Sequence, residues 1–112
     1  MPYIDSSDRE RVDSSINELV LCIKTTLLTA ENANVFHIDK LSSEDVLKIA
    51  GVLNYCITRI CSSCSGEVSY KKIALITGVL ENVKQEFYRR IASPYEDKKI
   101  IENGDVREYK NI

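Results

Sequence analysis

Long apolar runs are missing from this chain. The longest, residues 19–23 (LVLCI), spans five residues, far short of the roughly 20 that a bilayer-crossing helix needs. The opening stretch MPYIDSSDRERVDSS is polar and acidic, with none of the apolar segment a secretory signal carries. These two absences predict a cytoplasmic chain with no membrane partner. A surplus of positive charge is missing too. The 15 Lys and Arg stand against 17 Asp and Glu, a formal net charge of −2, so nucleic acid is not an expected partner. The phosphate-cradling patterns Gly-x-x-x-x-Gly-Lys and Gly-x-Gly-x-x-Gly do not occur. Nor does the Glu-x-x-His of carboxylate metal bundles. Glu81 and Glu86 are five apart and Glu44 and Asp45 adjacent, spacings unlike those with which helical nucleotide pyrophosphatases hold magnesium. There is no internal repeat and no low-complexity segment. The common enzyme classes lose their signatures here, and no cofactor is expected.

What is present is helical periodicity. In residues 69–91, SYKKIALITGVLENVKQEFYRRI, the apolar positions Tyr70, Ile73, Ile76, Leu80, Val83, Phe87 and Ile91 recur every three or four residues. That spacing gathers them on one stripe of a helix. Ser69 suits the N-cap, and Arg89 and Arg90 suit the negative end of the helix dipole. Ser93-Pro94 is expected to stop the helix, because the residue before a proline is pushed out of the α region. This rod is expected to be buried along one side by two neighbours. Its second apolar flank, Leu75 and Val79, points to self-association.

The rest of the chain arranges itself around that rod. Residues 1–5 read as an extended lead, with Pro2 opposing helix. Ser7 and Glu10 read as a capping box opening a first helix to about residue 30, apolar at Val12, Ile16, Leu19, Val20, Ile23 and Leu27. Thr25 and Thr26 weaken its far end. Residues 31–41 have no clear period and read as a loop from which Val35, Phe36 and Ile38 dip into the core, with a short strand or helical turn as the alternative. Ser42, facing Asp45, opens a second helix to about residue 61, burying Val46, Ile49, Ala50, Leu53, Ile57 and Ile60. Residues 62–69 form a connection turned by Gly66. Beyond Pro94, residues 95–102 form a short helix closed by Asn103-Gly104, and 105–112 a polar tail. Gly51 and Gly78 interrupt helices at a cost of about 1 kcal/mol each. Close approach where the second and third helices cross would offset that, as would a bulky neighbour needing room. The expected fold is all-α, a small helical bundle of three main helices plus a short C-terminal helix and polar tail. At 112 residues it makes a single domain, 1–112.

Four cysteines in a reducing compartment are expected to be thiols. Cys61 and Cys64, with Cys56 upstream, resemble part of a metal site, yet a structural zinc needs four ligands. Only Cys22 and the single histidine, His37, remain, both distant in sequence, so no metal is expected and Cys56, Cys61 and Cys64 stay weak candidates. His37 has no serine or cysteine partner at a recognisable spacing, so catalysis is not expected of it. The richest polar cluster is Lys84, Tyr88, Arg89 and Arg90, followed by Tyr95, Glu96, Asp97, Lys98 and Lys99. Arginine forks bind phosphate or carboxylate and tyrosines offer stacking faces, so a nucleotide or other anion could sit there. The local alternative pairs the arginines with Glu86, Glu96 or Asp97, and the balanced charge of residues 81–112 favours it. Asn54, Tyr55, Thr58 and Arg59 form a second polar group. Asn54 is read as bonding across to the third helix, and otherwise as lining a small pocket with Tyr88.

Several blocks together resemble a known family: Met1-Pro2-Tyr3-Ile4; Leu53-Asn54-Tyr55 with Ile57-Thr58-Arg59; Gly78-Val79-Leu80-Glu81 with Lys84; Glu86-Phe87-Tyr88-Arg89-Arg90; Pro94-Tyr95-Glu96-Asp97 with Lys99; and Glu102-Asn103-Gly104-Asp105-Val106. They are similar to small uncharacterised helical proteins found in phages, prophages and microbial genomes. The likeness spans nearly the whole chain and is most specific in its C-terminal block. Cys56, Cys61 and Cys64 are not part of that pattern. The resemblance implies a small cytosolic helical protein and carries no activity with it. The expected function is a non-enzymatic interaction or adaptor protein, oligomeric, with a protein partner that the sequence does not name. The alternative is a small binding module for a nucleotide or other anion, using Lys84, Tyr88, Arg89, Arg90 and Tyr95, with Asn54 and Arg59.

Overall fold

Asp5, not Ser7, starts the first helix. The computed structural model describes residues 2–26 and 42–112, and α1 runs Ser6–Thr25. The Asp5 carboxylate accepts from the Asp8 backbone N–H at 3.1 Å and from the Ser7 hydroxyl at 2.8 Å. An ionised acceptor two residues upstream of Ser7 takes the orphan amide first, so Ser7 becomes helical and the expected Ser7–Glu10 box does not form. The Ser7 hydroxyl and the Asp8 N–H together hold the Asp5 carboxyl below its ordinary pKa. At the other end Thr25 and Thr26 turn their hydroxyls back onto the Cys22 and Ile23 carbonyls at 2.9 and 2.7 Å, the competition with helix that such residues exert. The expected extension to residue 30, the 31–41 loop and His37 lie outside the described residues.

α2 spans Ser43–Ser65. Its capping box is the expected one: Ser42 Oγ accepts from the Asp45 N–H at 3.2 Å, and Asp45 Oδ2 accepts from the Ser42 N–H at 3.4 Å. The helix continues one turn past residue 61, since nothing in Ser62–Ser65 interrupts it, and stops where Gly66 takes φ 64°. The chain divides into two units, residues 3–67 and residues 68–112 with Pro2. In the first, α1 packs against α2.

The second unit is helical nearly throughout. α3, Tyr70–Phe87, opens with Ser69 Oγ accepting from the Lys72 N–H at 3.2 Å. The backbone then does not stop at Ser93-Pro94. It widens into a π-helical turn, Tyr88–Ala92, and resumes as α4, Ser93–Asn103. Within an α-helix a proline at 94 would remove a hydrogen bond and press its ring on the carbonyl of residue 90. The wide turn lets the Ser93 N–H reach the Tyr88 carbonyl, five residues back, and the helix absorbs the proline without breaking. Ala92 and Ser93 keep helical backbone angles, which overturns the expected stop. Gly104, at φ 85°, ends α4 with its N–H on the Ile100 carbonyl at 2.8 Å. The tail closes into a 3₁₀ turn, Arg107–Tyr109.

The architecture is all-α, with no strand among the described residues. Its apolar stripes, however, are not covered. None of the described residues of α1, α2, α3 or α4 is buried. On α3, Ile73 is 49% exposed, Leu80 40% and Phe87 64%. Residues 68–112 alone do not supply the expected burial by two neighbours. Within residues 68–112 only the continuation of the same rod follows α3, and an amphipathic helix needs a second layer to bury its stripe. A Cβ built on Gly51 or on Gly78 meets nothing within 4 Å.

Candidate functional site

The polar corner forms where α3 gives way to the wide turn. Lys84 lies on α3, Tyr88, Arg89 and Arg90 on the turn, and Tyr95 in the first turn of α4. In an unbroken α-helix residues eight apart point about 80° away from each other. The π turn removes much of that offset, and the Tyr88 hydroxyl donates to Glu96 Oε2 at 2.8 Å. That bond, then the charges of Glu96 and Asp97, raise the Tyr88 phenol above its ordinary pKa. Arg89 donates to Glu86 Oε1 at 2.7 Å, and Lys84 stands 3.8 Å from Glu81. On α4, Lys99 donates to Glu102 at 3.0 Å and lies 5.5 Å from the Tyr95 ring centre. The Glu102 bond leads in raising the Lys99 pKa.

Most of the corner is thus paired locally. Arg90 and Lys98 are the exceptions among its cations, making no hydrogen bond or ion pair among the described residues. A groove of about 510 Å³ runs alongside, walled by Pro2, Asn82, Lys84, Glu86, Tyr88 and Arg89. Neither Arg90 nor Tyr95 is on its wall, and Glu81 and Glu86 place carboxylates there. A site for an anion wants the opposite.

Asn54 and Arg59 belong to α2, in the other unit. The Asn54 amide oxygen accepts from the Thr58 hydroxyl at 3.4 Å within its own helix. Arg59 borders a groove of about 340 Å³ between α1 and α2, with Leu19, Tyr55, Cys56, Ile60 and Cys64. The cysteines are free thiols, Cys56 and Cys61 half-buried and Cys22 and Cys64 exposed. Among the described residues no group of three His, Cys, Asp or Glu is placed to hold a metal ion, and no helix is long and apolar enough to cross a membrane. Sequence reasoning missed the wide turn and Pro2 as a groove wall. A proline within a run of good helix formers was the available signal for the first.

Fold and surface define a small all-α protein. Residues 1–106 match the family described as Domain of unknown function (DUF6899), and the chain belongs to that family. No similar protein was found among curated proteins or solved structures.

Proposed function

We propose that this is a non-enzymatic interaction or adaptor protein of the cytoplasm, of the kind carried by phages and prophages, which assembles into oligomers through the apolar sides of its helices. The exposure of a stripe as regular as Ile73, Leu80, Val83 and Phe87 carries the reading. Contiguous apolar surface rimmed by polar groups marks interaction sites, because leaving it in water costs free energy that a partner recovers. Sedimentation velocity over a dilution series tests it: species heavier than the monomer are expected, and a chain that stays monomeric refutes it.

A second reading, an anion or nucleotide held at the corner, is favoured by Arg90, whose guanidinium is unpaired among the described residues. The pairing of Tyr88 with Glu96 and of Arg89 with Glu86 weighs against it. A thermal-shift screen against nucleotides and inorganic phosphate separates the two, since a ligand raises the melting point by mass action. A shift that Arg90→Ala abolishes would favour the second reading.

A further inference from the structure

We infer that the exposed face of α3 is a seam for a second copy of this chain, packed antiparallel. The inference rests on the interaction reading above and names its partner and register. Ile73, Ile76, Leu80, Val83 and Phe87 alternate at spacings of three and four, which is the a/d pattern of a two-helix seam. With Ile73 at a, Lys72, Val79 and Glu86 take the g positions, and Tyr70, Thr77 and Lys84 the e positions. Val79 and Val83 are 45% and 57% exposed, whereas Lys72, Ile76 and Glu86 are half-buried, so the middle of the seam is the part most open to a partner.

Charge decides the direction. In a parallel pair each g residue meets the e residue five further on in the other helix. Lys72 would face Thr77, Val79 would face Lys84 and Glu86 would meet the wide turn, so no ion pair forms and Val79 is set against a cation. Turning one copy end over end makes like flanks face each other. Setting Ile73 opposite Val83 and Ile76 opposite Leu80 of the second copy then places Lys72 beside its Glu86, twice over by symmetry. Val79 meets Val79 at the dyad, Thr77 meets Thr77, and Tyr70 lies along the Lys84 stem. Glu86 keeps its Arg89 contact at 2.7 Å and accepts from both cations. The opposed helix dipoles add to the preference. Gly78 falls on the outer side, consistent with the open space around it.

The test is charge reversal with mixing, read by sedimentation equilibrium of the full chain. Lys72→Glu and Glu86→Lys each put like charges at both ends of the g flank of a homodimer, and each is expected to weaken self-association by roughly tenfold. In an equal mixture of the two variants, the glutamate introduced in one chain meets the lysine introduced in the other. The native Lys72 and Glu86 that remain meet at the other end of that flank, so mixing should restore a heterodimer near wild-type affinity. Circular dichroism of each variant verifies that the helices are intact. Self-association that survives both reversals, or that mixing does not restore, overturns this seam while leaving the interaction reading standing. A wild-type chain that remains monomeric up to about 100 μM overturns both this seam and the assembly into oligomers.

Discussion

Leu80 is the sharpest place to perturb the α3 face, because it sits at the middle of the stripe with a neighbour of the same kind one turn away on either side. It is 40% exposed, so a partner has that fraction of the side chain left to cover. Fully burying a leucine contributes about 1.5–3 kcal/mol, and covering the remaining share contributes about 1 kcal/mol per chain by the same scale. A symmetric pair loses it twice. Leu80→Ala is therefore expected to weaken dimerisation by about 2 kcal/mol, or roughly 30-fold in Kd. Alanine is the better helix former, so α3 itself should not suffer, and far-ultraviolet circular dichroism should be unchanged. The matched control is Leu75→Ala. Leu75 is the same residue type and 65% exposed, but lies off the seam, so its removal should leave the dimer intact. Sedimentation equilibrium over a concentration series reads both. Equal weakening by the two variants, or no weakening by Leu80→Ala, would refute the reasoning.

Ala at Gly51 or at Gly78 meets no atom within 4 Å, so each substitution should stabilise its helix by about 1 kcal/mol, seen as a higher Tm; a lower Tm would show that something packs there. Pro94→Ala returns the missing N–H and removes the reason for the wide turn, so Glu96 should swing away from Tyr88. The phenol pKa, now raised by that contact, should fall back toward its ordinary value in a spectrophotometric titration. Asp5→Ala removes the acceptor at the start of α1 and should speed amide exchange at Asp8. Because the folded chain lowers the Asp5 pKa, its carboxylate supports the helix above the ordinary aspartate range. That support disappears as pH falls through the lowered value, so wild-type exchange at Asp8 should approach the variant's only in acid.

Local chemistry was the legible part of this fold. Ser42 with Asp45, Ser69 and Gly104 each do what their side chains or their lack of one dictate within a turn, and the three-and-four spacing announces helices without help from neighbours. Asp5 displaced Ser7 because two capping residues stood close together and the charged one competes better. Pro94 departs from expectation because the rule that proline ends a helix assumes α spacing, and the backbone had a wider turn available. Periodicity names the apolar side of a helix but not what covers it, so the stripe on α3 was readable while its exposure was not. At the corner, sequence balance pointed to local pairing. The partners of Tyr88 and Arg89 are nearby carboxylates, whereas the choice of Glu96 for Tyr88 depends on a turn that no spacing rule anticipated.

The wide turn also changes the order of faces beyond it. Counted on in the strict seven-residue repeat of the seam, the positions after Val83 and Phe87 would be Arg90 and Pro94. One surplus residue shifts the phase, and Ile91 and Tyr95 inherit those places instead. A single residue's worth of slack thus lets the greasy side of the rod run on past the point where strict counting would have handed it to a guanidinium, and the arginine is turned out to the margin.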